Sequence, residues 1–163
     1  THESALRIID ETGSLDNPAD RDHCMQYMLA VAMIKGDLIA EFYEDSFHQQ
    51  NPLIDELRHK MVLTEDKRYS KDYLADDKRS IANAVQIYFN DGSKTEKVEV
   101  EYPIGHRHRR KEGIPLLEMK FLNSLKNTYS KEQTERIYSL CLNNEKIKNT
   151  AVNEFMELFA VKN

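Results

Sequence analysis

The spacing of apolar and polar residues changes its period along the chain, and each change predicts an element. Residues 4–9 form a short amphipathic piece, and residues 10–16 are rich in turn formers. Asn17-Pro18 then sets an N-capping side chain before a proline at the first helical position. Asp20 and Asp22 suit the positive end of the helix dipole, and Gly36 stops the run. The pattern predicts a helix over residues 18–35. Its later part, Met28-Leu-Ala-Val-Ala-Met-Ile34, is apolar on every side, so this helix is expected to be buried in the middle of the structure.

Residues 37–45 and 52–59 read as short helices and 61–64 as a short strand. The polar, aspartate-rich residues 67–79 read as an exposed connection. A period of two follows. Ile81, Val85, Ile87 and Phe89 alternate with smaller or more polar residues, Asn90-Asp-Gly92 marks a tight turn, and Lys97-Val-Glu-Val-Glu-Tyr102 alternates strictly. These predict a hairpin with one face buried. After residue 112 the period is helical again, over 116–129, over 132–142 behind the capping box Ser130-Lys-Glu-Gln133, and over 152–161 behind Asn149 and Thr150. The apolar stripes of these helices (Leu117, Phe121 and Leu125; Ile137, Leu140 and Cys141; Phe155, Leu158 and Phe159) exceed what a two-stranded hairpin can cover. The fold class expected is α+β: a small antiparallel sheet with a hairpin packed on helices, followed by C-terminal helices that need a further surface.

Length and charge narrow the function classes. A chain of 163 residues can bury roughly 70% of its unfolded surface. The net charge of −5, with both signs interspersed, fits neither a general nucleic-acid binder nor a membrane binder. Cys24 and Cys141 stand far apart in apolar helical patterns, which favours buried thiols in a reducing, cytoplasmic compartment over a disulfide. No apolar run approaches the ~18 residues of a membrane span. The chain starts without Met, which suggests a start inside something longer.

Two groups of residues can carry chemistry. His23 and Tyr27 are four apart within the predicted helix, so their side chains are expected one turn apart on one face, where imidazole and phenol can hydrogen-bond a carboxylate. The alternative is a histidine at the core edge with a tyrosine whose hydroxyl is satisfied internally. His106, Arg107, His108, Arg109, Arg110 and Lys111 concentrate positive charge in one loop of an acidic chain. That loop reads as a solvated charge run, a small-anion site, a nucleic-acid patch or a metal site. His106-x-His108 lacks a third ligand for zinc, and nucleic acid wants interleaved aromatics. His2, His48 and His59 read as surface histidines.

Several strings together resemble the MmgE/PrpD family, in its dehydratase branch and at its C-terminal part. They are Asn17-Pro-Ala-Asp-Arg-Asp-His-Cys-Met-Gln-Tyr27, Asp77-Lys-Arg-Ser-Ile-Ala-Asn-Ala84, Val98-Glu-Val-Glu-Tyr-Pro-Ile-Gly-His106, Arg109-Arg110 with Gly113-Ile-Pro115, and Val152-Asn-Glu-Phe155. The resemblance implies a cytoplasmic hydro-lyase of the methylcitrate cycle, converting the tricarboxylate 2-methylcitrate to 2-methyl-cis-aconitate during propionate breakdown without metal or other cofactor. It also implies a homodimer when complete, with no nucleic-acid or membrane partner. On this reading residues 1–112 form an α+β domain and residues 113–163 pack on an all-helical domain that precedes this sequence. The main acid/base histidine and lysine lie in that missing N-terminal part, so the piece is expected to be inactive alone. By position His23 and Tyr27 match the His-x-x-x-Tyr of the family motif, whose tyrosine resembles a substrate-pocket residue in the related decarboxylase branch, and they are the catalytic candidates; Arg109 and Arg110 match a family string without an assigned role, and their charge makes them, with His106, candidates to bind the substrate. The rival reading is a non-catalytic module that binds an anion or a partner through residues 106–111.

Overall fold

The computed structural model describes residues 1–160 and divides the chain into two compact units, Thr1–Pro103 and Ile104–Asn163. It confirms the α+β class: helices dominate, with one two-stranded antiparallel sheet and closing helices. Among the described residues no helix is long and apolar enough to cross a membrane.

The first unit opens with α1 (Glu3–Ile9), capped by His2, whose Nδ1 accepts from the Ala5 amide at 3.3 Å. His2 is not the expected surface histidine. It is buried, stacked on Tyr73 with ring centroids 4.3 Å apart. The predicted single helix over 18–35 breaks in two, α2 (Pro18–Asp22) and α3 (Met25–Lys35). Asn17 caps α2 as foreseen, its side chain accepting from the amides of Ala19 and Asp20. The break is made by Cys24, which is extended (φ −113°, ψ 108°) and accepts from the Tyr27 amide on its sulfur. Gly36 ends α3 in the left-handed conformation, φ 74°, which only glycine adopts without strain. The helix is not enclosed all round: Gln26, Tyr27, Ala30 and Val31 are buried, whereas Met33 is 47% exposed.

In place of a helix over 37–45 the chain makes a 3-10 turn, Ala40–Tyr43, and then α4 (Asp45–Gln50). Next comes α5 (Leu53–Arg58), which supplies Ile54 to the core. That core joins Leu15, Cys24, Tyr27, Ala30, Val31 and Ile54, edged by Ile34, Phe42, Tyr43, Phe47, Leu57 and Met61. No strand forms over 61–64. The segment is irregular, and the Thr1 backbone runs beside its end, donating to the Thr64 carbonyl and accepting from the Asp66 amide, both at 2.9 Å.

Residues 67–79 also depart from expectation, because Lys67–Leu74 is a helix, α6, rather than an exposed connection. Asp66 caps it, and Tyr69 and Tyr73 at a spacing of four give it an inward face. Tyr69 is buried and Tyr73 meets His2. The hairpin follows as β1 (Asn83–Val85) and β2 (Val98–Val100), in register Asn83↔Val100, Ala84↔Glu99 and Val85↔Val98. Gly92, φ 85°, closes the turn with its amide on the Phe89 carbonyl. Past the strands, Tyr88 bridges Lys94, so residues 95–97 oppose only residues 86 and 87. That bulge interrupts the alternation read from the sequence. Both carboxylate oxygens of Glu99 accept from Arg68 Nη2 (2.7 and 2.8 Å), and one also accepts from the Tyr69 hydroxyl at 2.5 Å. The face bearing Ala84 and Glu99 therefore meets α6, while Val85, Val98 and Val100 lie open on the other.

The second unit begins with a 3-10 turn, Arg107–Arg109, which runs directly into α7 (Arg110–Thr128). Helix starts six residues before the predicted position 116, because Gly113 lets the first turn lie against the chain: a Cβ there would stand 2.3 Å from the Ile104 carbonyl oxygen. Then follow α8 (Lys131–Cys141), capped by Ser130 as foreseen, the unforeseen α9 (Asn144–Lys148), and α10 (Val152–Glu157). Ala151 precedes α10, and Asn149 and Thr150 instead bond back to the carbonyls of Glu145 and Lys146. The end of the predicted helix, residue 161, lies outside the described residues. Both cysteines are free, Cys24 buried and Cys141 half-buried.

Candidate functional site

The break between α2 and α3 separates the two residues expected on one helical face. His23 closes α2 and is largely exposed. Its Nδ1 lies 3.1 Å from the Ala19 carbonyl and pairs with Asp22, whose hydrogen bond raises the imidazole pKa. Tyr27, in the first turn of α3, is fully enclosed and donates its hydroxyl to the Phe42 carbonyl at 2.7 Å. Burial pushes its pKa up to about 12, so the phenol keeps its proton at neutral pH and is a hydrogen-bond donor rather than a base.

Around Tyr27 the structure gathers a charged cluster that sequence reasoning missed. Arg21, 1% exposed, donates from Nε to the Tyr43 carbonyl (2.6 Å) and from Nη1 to the Leu15 carbonyl (2.9 Å), and its Nη2 pairs with Asp45. Nη1 also lies 3.3 Å from His48 Nδ1, and His48 Nε2 lies 2.9 Å from Asp55. Arginine has no acceptor, so Nδ1 must accept from it and the neutral ring carries its proton on Nε2, which donates to Asp55. Arg58 completes the chain, with Nε on Asp55 (2.7 Å) and Nη2 on the Gly13 carbonyl (2.8 Å).

His48 is thus half-buried and bonded on both ring nitrogens rather than the expected surface histidine, its ring edge-on to Tyr27 with centroids 5.4 Å apart. Burial alone would raise the Asp55 pKa. The hydrogen bond from Arg58 and the nearby His48 overcome this and hold it below 3.8. The signal available in the sequence was the arginine set among core-forming residues in the Asn17–Tyr27 string. His59 is exposed, as expected.

The basic segment belongs to the second unit. His106 caps the 3-10 turn, accepting from the His108 amide at 3.2 Å, and the two imidazoles stack 5.1 Å apart. Arg109 pairs with Glu112 at 2.7 Å, whose hydrogen bond raises the arginine pKa and lowers that of the carboxyl. Arg110 and Lys111 lie in the first turn of α7, so their charges stand at the positive end of a 19-residue helix. Among the described residues no three of His, Cys, Asp and Glu are grouped to hold a metal.

The sequence pattern described as the MmgE/PrpD C-terminal domain matches residues 1–144. The chain belongs to the MmgE/PrpD family. Among its relatives, the mitochondrial 2-methylcitrate dehydratase of Yarrowia lipolytica is 47% identical over 99% of this chain and 31% of that protein. The 2-methylcitrate dehydratase of Salmonella typhimurium is 46% identical over 99% of this chain and 33% of that enzyme. The probable 2-methylcitrate dehydratase of Saccharomyces cerevisiae is 45% identical over 98% and 31%. The chain spans about a third of the length of these curated relatives, at their C-terminal part.

Proposed function

We propose that the chain is the C-terminal portion of a 2-methylcitrate dehydratase, removing water from 2-methylcitrate to give 2-methyl-cis-aconitate in propionate catabolism. The observation that carries this is identity of 45–47% to enzymes of that name across essentially the whole chain. The rival reading as a non-catalytic binding module is not favoured, since these relatives are dehydratases. The partner required is the N-terminal helical part, and the chain alone is inactive. Residues 1–112 serve as the α+β domain, and residues 113–163 return to the helical domain. Exposed Ile114, Leu116, Leu117 and Met119 on α7 support that second role, since such a surface suits a helical neighbour. The complete enzyme is a cytoplasmic homodimer working without a cofactor.

Dehydration needs a base for the proton α to a carboxylate, an acid for the departing hydroxyl, and cations to restrain the charge that develops. Tyr27 is the proposed donor. The phenol keeps its proton at neutral pH, which suits a hydrogen-bond donor, and this role requires the enclosed hydroxyl to exchange the Phe42 carbonyl for the substrate. His23 orients a substrate carboxylate. Arg109, Arg110 and His106 bind the tricarboxylate, supported by the crowding of Arg110 and Lys111 on the positive helix end, which an anion relieves.

The test follows the absorbance of the new double bond with 2-methylcitrate as substrate. The longer enzyme turns over and this chain does not. Tyr27→Phe in the longer enzyme lowers kcat by about ten- to a thousandfold. Unchanged kinetics would reject the role of Tyr27, and activity in the isolated chain would reject the division of labour.

A further inference from the structure

The Arg21 guanidinium ends in an unusual place for a charge. It is fully buried, and while Nη2 reaches the exposed Asp45, Nε and Nη1 bond the Tyr43 carbonyl and His48, the two groups next to Tyr27's own contacts. Phe42 and Tyr43 are consecutive. The Phe42 carbonyl accepts the Tyr27 hydroxyl at 2.7 Å, and the next carbonyl, that of Tyr43, is held by Arg21 at 2.6 Å. The two carbonyls flank the Cα of Tyr43 in the 3-10 turn Ala40–Tyr43, so holding one restricts the φ and ψ that aim the other. The same guanidinium fixes the tautomer of His48, whose ring meets Tyr27 edge-on.

We infer that Arg21 is a positioning residue for Tyr27, setting the direction of its hydroxyl through the Phe42–Tyr43 backbone and the His48 ring. The inference rests on the reading of Tyr27 as substrate donor. Arg21 touches no substrate. It holds the turn that holds the phenol, and Asp55 and Arg58 extend the same scaffold to the Gly13 carbonyl.

A double-mutant cycle in the full-length enzyme, with 2-methylcitrate as substrate, tests it. Arg21→Lys keeps the charge but cannot reach the Tyr43 and Leu15 carbonyls together. It is expected to lower kcat about tenfold or more with KM within about threefold, and to change kcat less than about twofold when Tyr27 is already Phe. Equal losses in both backgrounds overturn the inference and leave Arg21 a folding role. Wild-type kcat in Tyr27→Phe overturns the underlying reading and the inference with it, a distinct result.

Should Arg21→Lys fail to fold in a thermal melt, His48 carries the same cycle. His48→Gln keeps an acceptor for Arg21 and a donor for Asp55, and is expected to retain kcat. His48→Leu loses both and is expected to show the Tyr27-dependent loss. Equal kcat for the two His48 variants, or a loss that ignores Tyr27, overturns the inference.

Discussion

The cluster around α3 and the unit that starts at Ile104 solve the same problem in opposite ways. The first closes on itself: Tyr27, Ala30, Val31 and Ile54 are sealed, and even its charges, Arg21 and Arg58, are buried against carbonyls and carboxylates of this chain. In the second, Leu125 and Ile137 are buried, while Ile114, Leu116, Leu117 and Met119 along α7 stay open, Leu117 at 55%. Both regions carry apolar faces in the sequence. The difference teaches that a stripe declares a need for cover and says nothing about which chain provides it.

The contrast can be broken by measurement. The largest effect is expected from Arg21→Ala in the first region, which strands the Tyr43 and Leu15 carbonyls and should cost about 3–5 kcal/mol in urea unfolding. Next, Ile54→Ala should cost about 3 kcal/mol, whereas Leu117→Ala in this chain should stay within about 0.5 kcal/mol. A large loss at Leu117 would show that the second unit already has its cover.

Gly113→Ala sets two effects against each other. Alanine gains about 1 kcal/mol in helix propensity, but its Cβ would meet the Ile104 carbonyl oxygen at 2.3 Å, so a net loss of about 1–2 kcal/mol is expected. Acid sharpens the comparison further. Asp55 has its pKa lowered on folding, so its contribution is present above the ordinary value of 3.8 and is lost as pH falls through the folded value. Asp55→Asn should flatten the acid limb of stability below about pH 4. The smallest effect concerns the basic segment. Charge reversal at Arg109 and Arg110 in the longer enzyme should raise KM a few-fold at low salt, with the difference fading at high salt.

Local signals were legible where one side chain acts alone. Asn17 and Ser130 cap helices, Gly36 ends one and Gly92 turns the hairpin, each by chemistry its residue type announces. What escaped depends on partners distant in sequence. Cys24 breaks a helix because its thiol sulfur caps the next one while lying 3.3 Å from the Glu11 carbonyl, a use of cysteine that helical periodicity does not encode. Lys67–Leu74 looked too polar for a helix because its buried contacts run through tyrosines. Of the proposed site, Tyr27 and His23 stood out by their spacing of four and by resemblance to a family. Arg21, His48 and Asp55 were hidden because pattern reading assigns charge to the surface unless a partner is visible. The two hairpin faces differ in the sequence, but alternation cannot tell which one the protein covers.

That last choice has a consequence for how the hairpin finds its alignment. Sliding β2 by one residue would turn Val98 and Val100 toward α6 and send Glu99 outward, an arrangement that greasy contact alone would reward. The carboxylate gripped by Arg68 and Tyr69 is what tips the balance, so Glu99 works as a proofreading mark for strand pairing. Chains with Leu at 99 should still collapse, but into a mixture of two ladders.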